Sequence, residues 1–214
     1  MNYGKKATMQ LLRKYDNKSS KVKNKVKLIV LKILLVVVIV AGAAGISSGI
    51  GVMKGIIDSA PDISKIDVTP TGYSTTVLAA NGEETATLVG QGANRQYVTI
   101  DEIPLDLQHA FVAIEDERFY DHNGIDLHGI GRAFISGEGA STITQQLIKN
   151  NVLTSWTSET SFVEKLQRKI QEQYLALELE KQVKDKDWIL ENYMNSVNLG
   201  ANTLGVQAAS KKYF

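Results

Sequence analysis

The 214-residue chain has no cysteine, which excludes a disulfide framework and a thiolate metal site, and its three histidines, His109, His122 and His128, argue against a multi-histidine metal centre. Its net charge of +1 hides an asymmetry: residues 1 to 53 carry ten Lys/Arg and one acid, leaving 14 basic against 22 acidic residues from Lys54 onward. The part long enough to fold as one domain is thus net acidic, which excludes a nucleic-acid binder built on a broad cationic surface.

In chain order, residues 1–32 are a Lys-rich tail, polar and expected to be disordered up to about Lys27. Residues 33–53, "ILLVVVIVAGAAGISSGIGVM", form an uncharged run that matches the ~20 helical residues needed to cross a bilayer. The flanking lysines place the N-terminus in the cytoplasm and everything after Lys54 outside. A cleaved signal peptide is the alternative; the long basic region and the length of the apolar run favour an uncleaved signal-anchor. Residues 54–103 read as an extracytoplasmic linker, in which Asn81-Gly82 between two β-prone runs marks a hairpin. From residue 104 onward the periodicity is helical.

A helix is expected from about Leu105 to Tyr120. At its spacing Phe111, Glu115 and Phe119 share one face, so a carboxylate interrupts an aromatic stripe. Burial there would disfavour the charged form and make Glu115 a proton acceptor useful near neutral pH. The plain alternative is a surface pair of Glu115 with Arg118. Asp116 and His122 either orient that carboxylate or cap the helix end and its turn.

"GASTITQQLIKN", Gly139 to Asn150, reads as a loop delivering a helix. Gly139 allows close backbone approach, and Ser141 or Thr142 caps the first turn. Exposed amides at that helix start, with Lys149 beyond, suit an anionic or sugar-bearing ligand, unless water simply solvates a polar first turn. The adjacent glutamines offer the hydrogen bonding that sugars use. Downstream, a long amphipathic helix sets Leu166, Ile170, Tyr174 and Leu177 along one stripe. Arg168, Lys169 and Glu172 on that helix form either an exposed i,i+4 pair of little energetic value or a cationic clamp for phosphate oxygens. A helix, an Asn/Gly-rich turn and a last helix close the chain.

Together these segments resemble the family 51 peptidoglycan glycosyltransferases, the polymerase module of class A penicillin-binding proteins. "EDERFYDHNGID", "GASTITQQLIKN", "RKIQE" and "ILENYMNSVNLG" stand for its first four motifs, in order, across about Pro104 to Phe214. The resemblance implies a mainly α, lysozyme-like, two-lobed glycosyltransferase domain at 104–214, preceded by the transmembrane helix and the short β-hairpin segment. It implies Glu115 as catalytic base with Asp116, Phe119 and His122 in support, and Glu172 as a second essential carboxylate. Ser141, Thr142, Gln146 and Lys149 would line the donor site, and Arg168 and Lys169 would meet the lipid pyrophosphate. The implied reaction joins lipid II units into glycan strands with inversion, releasing undecaprenyl pyrophosphate. No organic cofactor is implied; a divalent cation, Mg or Mn, is compatible. The implied partners are lipid II, the growing strand, the cell membrane and cell-division or elongation proteins, with no nucleic acid.

Ala140 replaces a usual second glycine, and the connection after Arg132, "AFISGE", is shorter than in many relatives. The chain stops at "KKYF", where the family continues through a fifth motif, so the domain is expected to be C-terminally incomplete. A transpeptidase serine is not expected, because no lysine follows Ser141 at the S-x-x-K spacing. Two rival readings are a membrane-bound muramidase-like hydrolase and a truncated, non-catalytic protein that binds lipid II or a divisome partner.

Overall fold

The structure is a computed structural model that describes residues 4–16, 18–62, 67–88, 95–137, 139–153 and 157–214. Parts of the linker, 63–66 and 89–94, lie outside the described residues, as does Glu138 in the short connection after Arg132. The chain divides into two units, Met1–Gly55 and Ile56–Phe214.

The basic tail is helical, contrary to the expectation of disorder: α1 covers Lys5–Asp16, and α2 runs over Lys18–Asp58. Lys, Arg, Leu, Gln and Ala are strong helix formers, and no glycine or proline interrupts residues 5–32. Arg13 and Lys14 complement the negative end of the α1 dipole. The apolar run at 33–53 lies wholly within α2, where its 21 residues span roughly 32 Å at the α-helical rise, against about 30 Å of bilayer hydrocarbon. The mean hydropathy of its most apolar stretch is 2.8, and none of that stretch is buried. By length and composition this helix can cross a membrane.

In the second unit, β1 (Thr75–Leu78) and β2 (Glu84–Leu88) form the expected antiparallel hairpin, with a bulge between Val77 and Leu78. The Gly82 amide donates to Ala79 O at 2.9 Å and Gly82 takes φ 86°. That is a turn closed by a left-handed residue, which glycine adopts without penalty. Six helices then follow: α3 (Leu105–Glu115), α4 (Leu127–Ser136), α5 (Ile143–Asn151), α6 (Phe162–Val183), α7 (Lys186–Met194) and α8 (Val206–Tyr213). The described fold is mainly α.

Helix α5 packs against both α6 and α7. The core they share includes Phe119, Ile143, Leu147, Leu175, Ile189, Leu190, Tyr193 and Met194, all at most 1% exposed. Two expected helical details change. Helix α3 ends at Glu115, five residues early, because Asp116 leaves the helix at φ −161° with its carboxylate engaged elsewhere. Three consecutive acids, Glu115 to Glu117, at the negative end of a helix dipole also disfavour continuation. On α6 the buried stripe is Glu172, Leu175, Ala176, Leu179 and Glu180, not the expected stripe, whose Leu166 is 48% exposed. Burying two carboxylates is tolerable only because each has cationic and hydrogen-bonding partners.

Helix α7 fixes the segment that leads into α3. Asn195 Oδ1 accepts from Val98 N at 3.0 Å, and its Nδ2 donates to Val98 O at 2.8 Å and Glu191 O at 2.9 Å. Glu191 accepts from Ile100 N at 2.6 Å and from the Tyr97 hydroxyl. Asn195→Ala strands half-buried backbone groups at Val98 and is expected to lower unfolding stability by about 1–3 kcal/mol in urea titration; a loss below about 0.5 kcal/mol would contradict this role.

Candidate active site

Asp116 organises the turn after α3. His122 Nε2 lies 2.9 and 3.0 Å from its two oxygens, and Ile143 N donates to Oδ2 at 3.0 Å. The Gly124 amide donates to His122 Nδ1 at 3.2 Å. Since an amide N–H can only donate, Nδ1 is the acceptor and the ring proton sits on Nε2, facing the carboxylate. Asp116 and His122 thus bracket the turn, the second of the two roles open to them from sequence. Phe119 is fully buried beneath, edge-on to His122 at 6.4 Å, with Lys186 Nζ 4.5 Å from its ring centroid.

The N-terminus of α5 is occupied from within the protein. Thr142 caps it, accepting from Gln145 N at 3.2 Å, and donates its hydroxyl proton to Gly124 O at 2.8 Å. Asp116 supplies the negative charge that the helix start favours. The expectation of exposed amides waiting for an anion is therefore overturned: Ile143 and Gln145 are buried and their amides are engaged. The close backbone approach expected of Gly139 is also absent, since a Cβ there would meet nothing within 4 Å. Gly124 makes it instead. At φ +87°, its missing Cβ would stand 2.8 Å from both C and O of Ala176 on α6.

Glu115 is exposed at the end of α3 and accepts from Gln146 Nε2 at 2.9 Å. It is not buried in an aromatic stripe. With the helix ending at Glu115, Phe119 turns into the core and only Phe111, half-buried, stays on α3. Nor does Arg118 pair with Glu115. Its guanidinium reaches Asp126 at 2.5 Å and Glu117 at 4.0 Å. Gln146 Oε1 accepts from the buried Tyr193 hydroxyl at 3.2 Å, which fixes the amide so that its NH2 faces Glu115. Burial, followed by the Glu115 charge, pushes the Tyr193 phenol well above its usual range and keeps it a donor.

On the other side of Gln146, six residues expected from two separate motifs meet. Ser141, Gln146 and Lys149 from α5 and its approach, with Arg168, Lys169 and Glu172 from α6, line a cleft of about 360 Å³. Lys169 Nζ donates to Ser141 Oγ at 2.6 Å, to Glu172 Oε2 at 2.9 Å and to Gln145 Oε1 at 3.3 Å. Arg168 Nε reaches both oxygens of Glu159 at 2.9 and 2.8 Å, and its Nη1 pairs with Glu172. Burial draws the Arg168 guanidinium down, but Glu159 and then Glu172 outweigh it and hold the group charged. The Glu172 side chain is 2% exposed, so this pair is not the weak surface bridge that spacing alone allowed. A smaller cleft of about 130 Å³, lined by Glu115, Asp116, Arg132, Ala140, Ser141 and Thr142 among others, adjoins the first through Ser141.

Glu159, Glu180, Lys186 and Tyr193 were missed from sequence. Glu180 accepts from Thr144 Oγ1 and pairs with Lys186 at 2.7 Å, while Lys186 also donates to His122 O at 2.7 Å. Two of these contacts span 36 and 64 residues, beyond any local signal. Among the described residues no cluster of three or more His, Asp or Glu side chains could hold a metal, and Glu159 and Glu172 already serve Arg168 and Lys169.

The Asp126–Arg118 pair sets an acid limit. Burial raises the Asp126 carboxyl, but Arg118 and the Gly129 amide lower it further, leaving it below its usual range. A depressed carboxyl stabilises fully above the unfolded value near 3.9 and progressively less as pH falls through the lower folded value. The stability gap between wild type and Asp126→Asn in urea is expected to be constant at pH 6–8 and to shrink below about pH 4; a gap independent of pH would contradict the pairing.

In this mainly α domain the turn after α3, the capped loop before α5 and the cationic stretch of α6 converge on paired clefts, and the profile of the Transglycosylase family matches residues 81–214. The chain belongs to that family. The match begins ahead of the residue 104 boundary and takes in the second hairpin strand. The chain is 41% identical over 178 residues to Penicillin-binding protein 1A of Clostridium novyi (strain NT), covering 78% of this chain and 20% of the relative. It is 50% identical over 131 residues to Penicillin-binding protein 1A of Clostridium perfringens (strain 13 / Type A), covering 56% and 18%. Against Penicillin-binding protein 1A/1B of Bacillus subtilis (strain 168) the identity is 37% over 177 residues, covering 79% and 18%. The chain spans about a fifth of the length of these relatives.

Proposed function

We propose that this chain carries the polymerising site of a peptidoglycan glycosyltransferase, which joins lipid II to a growing glycan with inversion and release of undecaprenyl pyrophosphate. The observation that carries it is the cleft where Ser141, Gln146, Lys149, Arg168, Lys169 and Glu172 meet, joined to Glu115 through Gln146. A pyrophosphate leaves as a stabilised anion, so the reaction needs cations rather than a general acid at the leaving group, and one carboxylate to take the acceptor's 4-hydroxyl proton. In this reading Arg168, Lys169 and Lys149 receive the pyrophosphate, Glu172 and Ser141 position the cations, and Glu115 is the base. Asp116, His122 and Phe119 hold the turn that presents it, and Thr142 holds the loop that carries Ser141. A hydrolase on the same fold would need a general acid and no cationic pair.

The basic run before the apolar segment of α2 supports a cytoplasmic N-terminus with the domain outside the membrane, beside lipid II and the growing strand. Cell-division or elongation proteins are the expected protein partners.

The reading is tested with inorganic pyrophosphate as probe. Arg168→Ala and Lys169→Ala are each expected to weaken its binding about 10–100-fold in isothermal titration, the worth of a charge-assisted hydrogen bond. Pyrophosphate affinity unchanged in both variants would refute the assignment.

A further inference from the structure

Arg95 is 6% exposed and has no carboxylate partner among the described residues. One guanidinium nitrogen donates to Thr71 O, while Nε is buried without an acceptor among the described residues. The flanking undescribed run 89–94, "VGQGAN", contains no acid. Tyr73 is the titratable group whose charge acts on Arg95, and burial pushes that phenol up, so it does not neutralise the cation. Elsewhere in this chain the buried ions Glu172 and Glu180 are paired, as buried charges require.

Arg95 lines an open cleft of about 370 Å³, within the size range of small-ligand sites. Its walls suit a sugar. Tyr73 and Tyr97, 42% and 46% exposed, stand edge-on at 6.0 Å and offer faces for C–H-rich ring surfaces. Gln96 and Gln207 bring amides that donate to and accept from hydroxyl groups. The cleft shares no lining residue with the two described above.

We propose that this cleft is a second binding site, for an acidic sugar whose anionic group pairs with Arg95 while its ring lies against Tyr73 and Tyr97. A carboxylate or a phosphate provides the same anionic oxygens. A planar guanidinium holds its N–H donors in a fixed fork that matches anionic oxygens, a geometry that lysine cannot supply. The site stands apart from the proposed polymerising cleft and does not depend on that reading.

The test titrates the full 214-residue chain in detergent with three probes, followed by ligand-observed NMR: N-acetylmuramic acid, N-acetylglucosamine 1-phosphate and neutral N-acetylglucosamine. At least one acidic probe is expected to bind at least tenfold more tightly than the neutral sugar, and which one does so identifies carboxylate or phosphate as the source. Arg95→Lys is expected to lose at least tenfold and Tyr73→Ala several-fold. The second variant leaves the Arg95–Thr71 contact intact, so loss of binding is separated from loss of fold by an unchanged thermal melt. Arg168→Ala is expected to leave this binding unchanged. Equal binding of all three probes, no binding, or loss in Arg168→Ala but not in Arg95→Lys would each overturn the proposal.

Discussion

Gly124→Ala is expected to destabilise the folded domain by about 3–5 kcal/mol, a large part of the 5–15 kcal/mol typical of a whole domain. Two costs add. At φ +87° an alanine occupies the left-handed region, and its Cβ drives into backbone atoms of Ala176 at 2.8 Å, in a helix that cannot give way as a flexible side chain would. Moving the turn to relieve that clash breaks the bonds of Gly124 O to Thr142 Oγ1 and Gln145 Nε2 at 2.8 and 3.1 Å. The Gly124 amide bond to His122 at 3.2 Å goes with them. Gly139→Ala is the matched control. It meets open space at an exposed position and is expected to stay within about 1 kcal/mol of wild type. Urea unfolding midpoints for the two variants decide the matter; equal midpoints would contradict the role given to Gly124.

That contrast shows what the sequence could and could not convey. The hairpin at Asn81-Gly82 and a cap at Ser141 or Thr142 were legible, because each follows from local turn or capping chemistry. The glycine with the critical contact was misplaced, since close approach depends on which backbone passes nearby, and Ala176 lies 52 residues away in sequence. Glu115 was placed in the right turn with the wrong surroundings. Extending the helix to Tyr120 put Phe119 on its face, whereas Asp116, held by Ile143 and His122, ends the helix first. The α6 stripe was misread for a related reason. Polarity marks Glu172 and Glu180 as surface residues; Arg168 and Lys169 on the same helix make the burial of Glu172 tolerable, and Lys186 and Thr144 from other elements that of Glu180.

Glu115→Gln is expected to reduce glycan synthesis by about 10²–10⁴-fold, the usual contribution of a positioned general base. The substitution keeps shape and a hydrogen-bonding carbonyl but removes the ability to accept a proton from the acceptor hydroxyl. Its surroundings are polar and open, so little stability should be lost: the carboxylate is exposed and its described contact is the 2.9 Å bond from Gln146. Substrate affinity should hardly change, because the cations proposed to receive the pyrophosphate, Lys149 on α5 and Arg168 and Lys169 on α6, are untouched. A fall in turnover at constant affinity is the signature of an interaction made in the transition state. Tyr193→Phe, which frees the Gln146 amide to rotate, should give a smaller loss of the same kind.

The most direct measurement follows glycan strands formed from labelled lipid II in detergent, with wild type and Glu115→Gln compared at equal lipid II occupancy. The expected result is polymer with release of undecaprenyl pyrophosphate from the wild type and at least a hundredfold less from the variant, at the level of a lost general base. Equal rates from the two proteins, or release of reducing ends from finished peptidoglycan with no use of lipid II, would contradict the account.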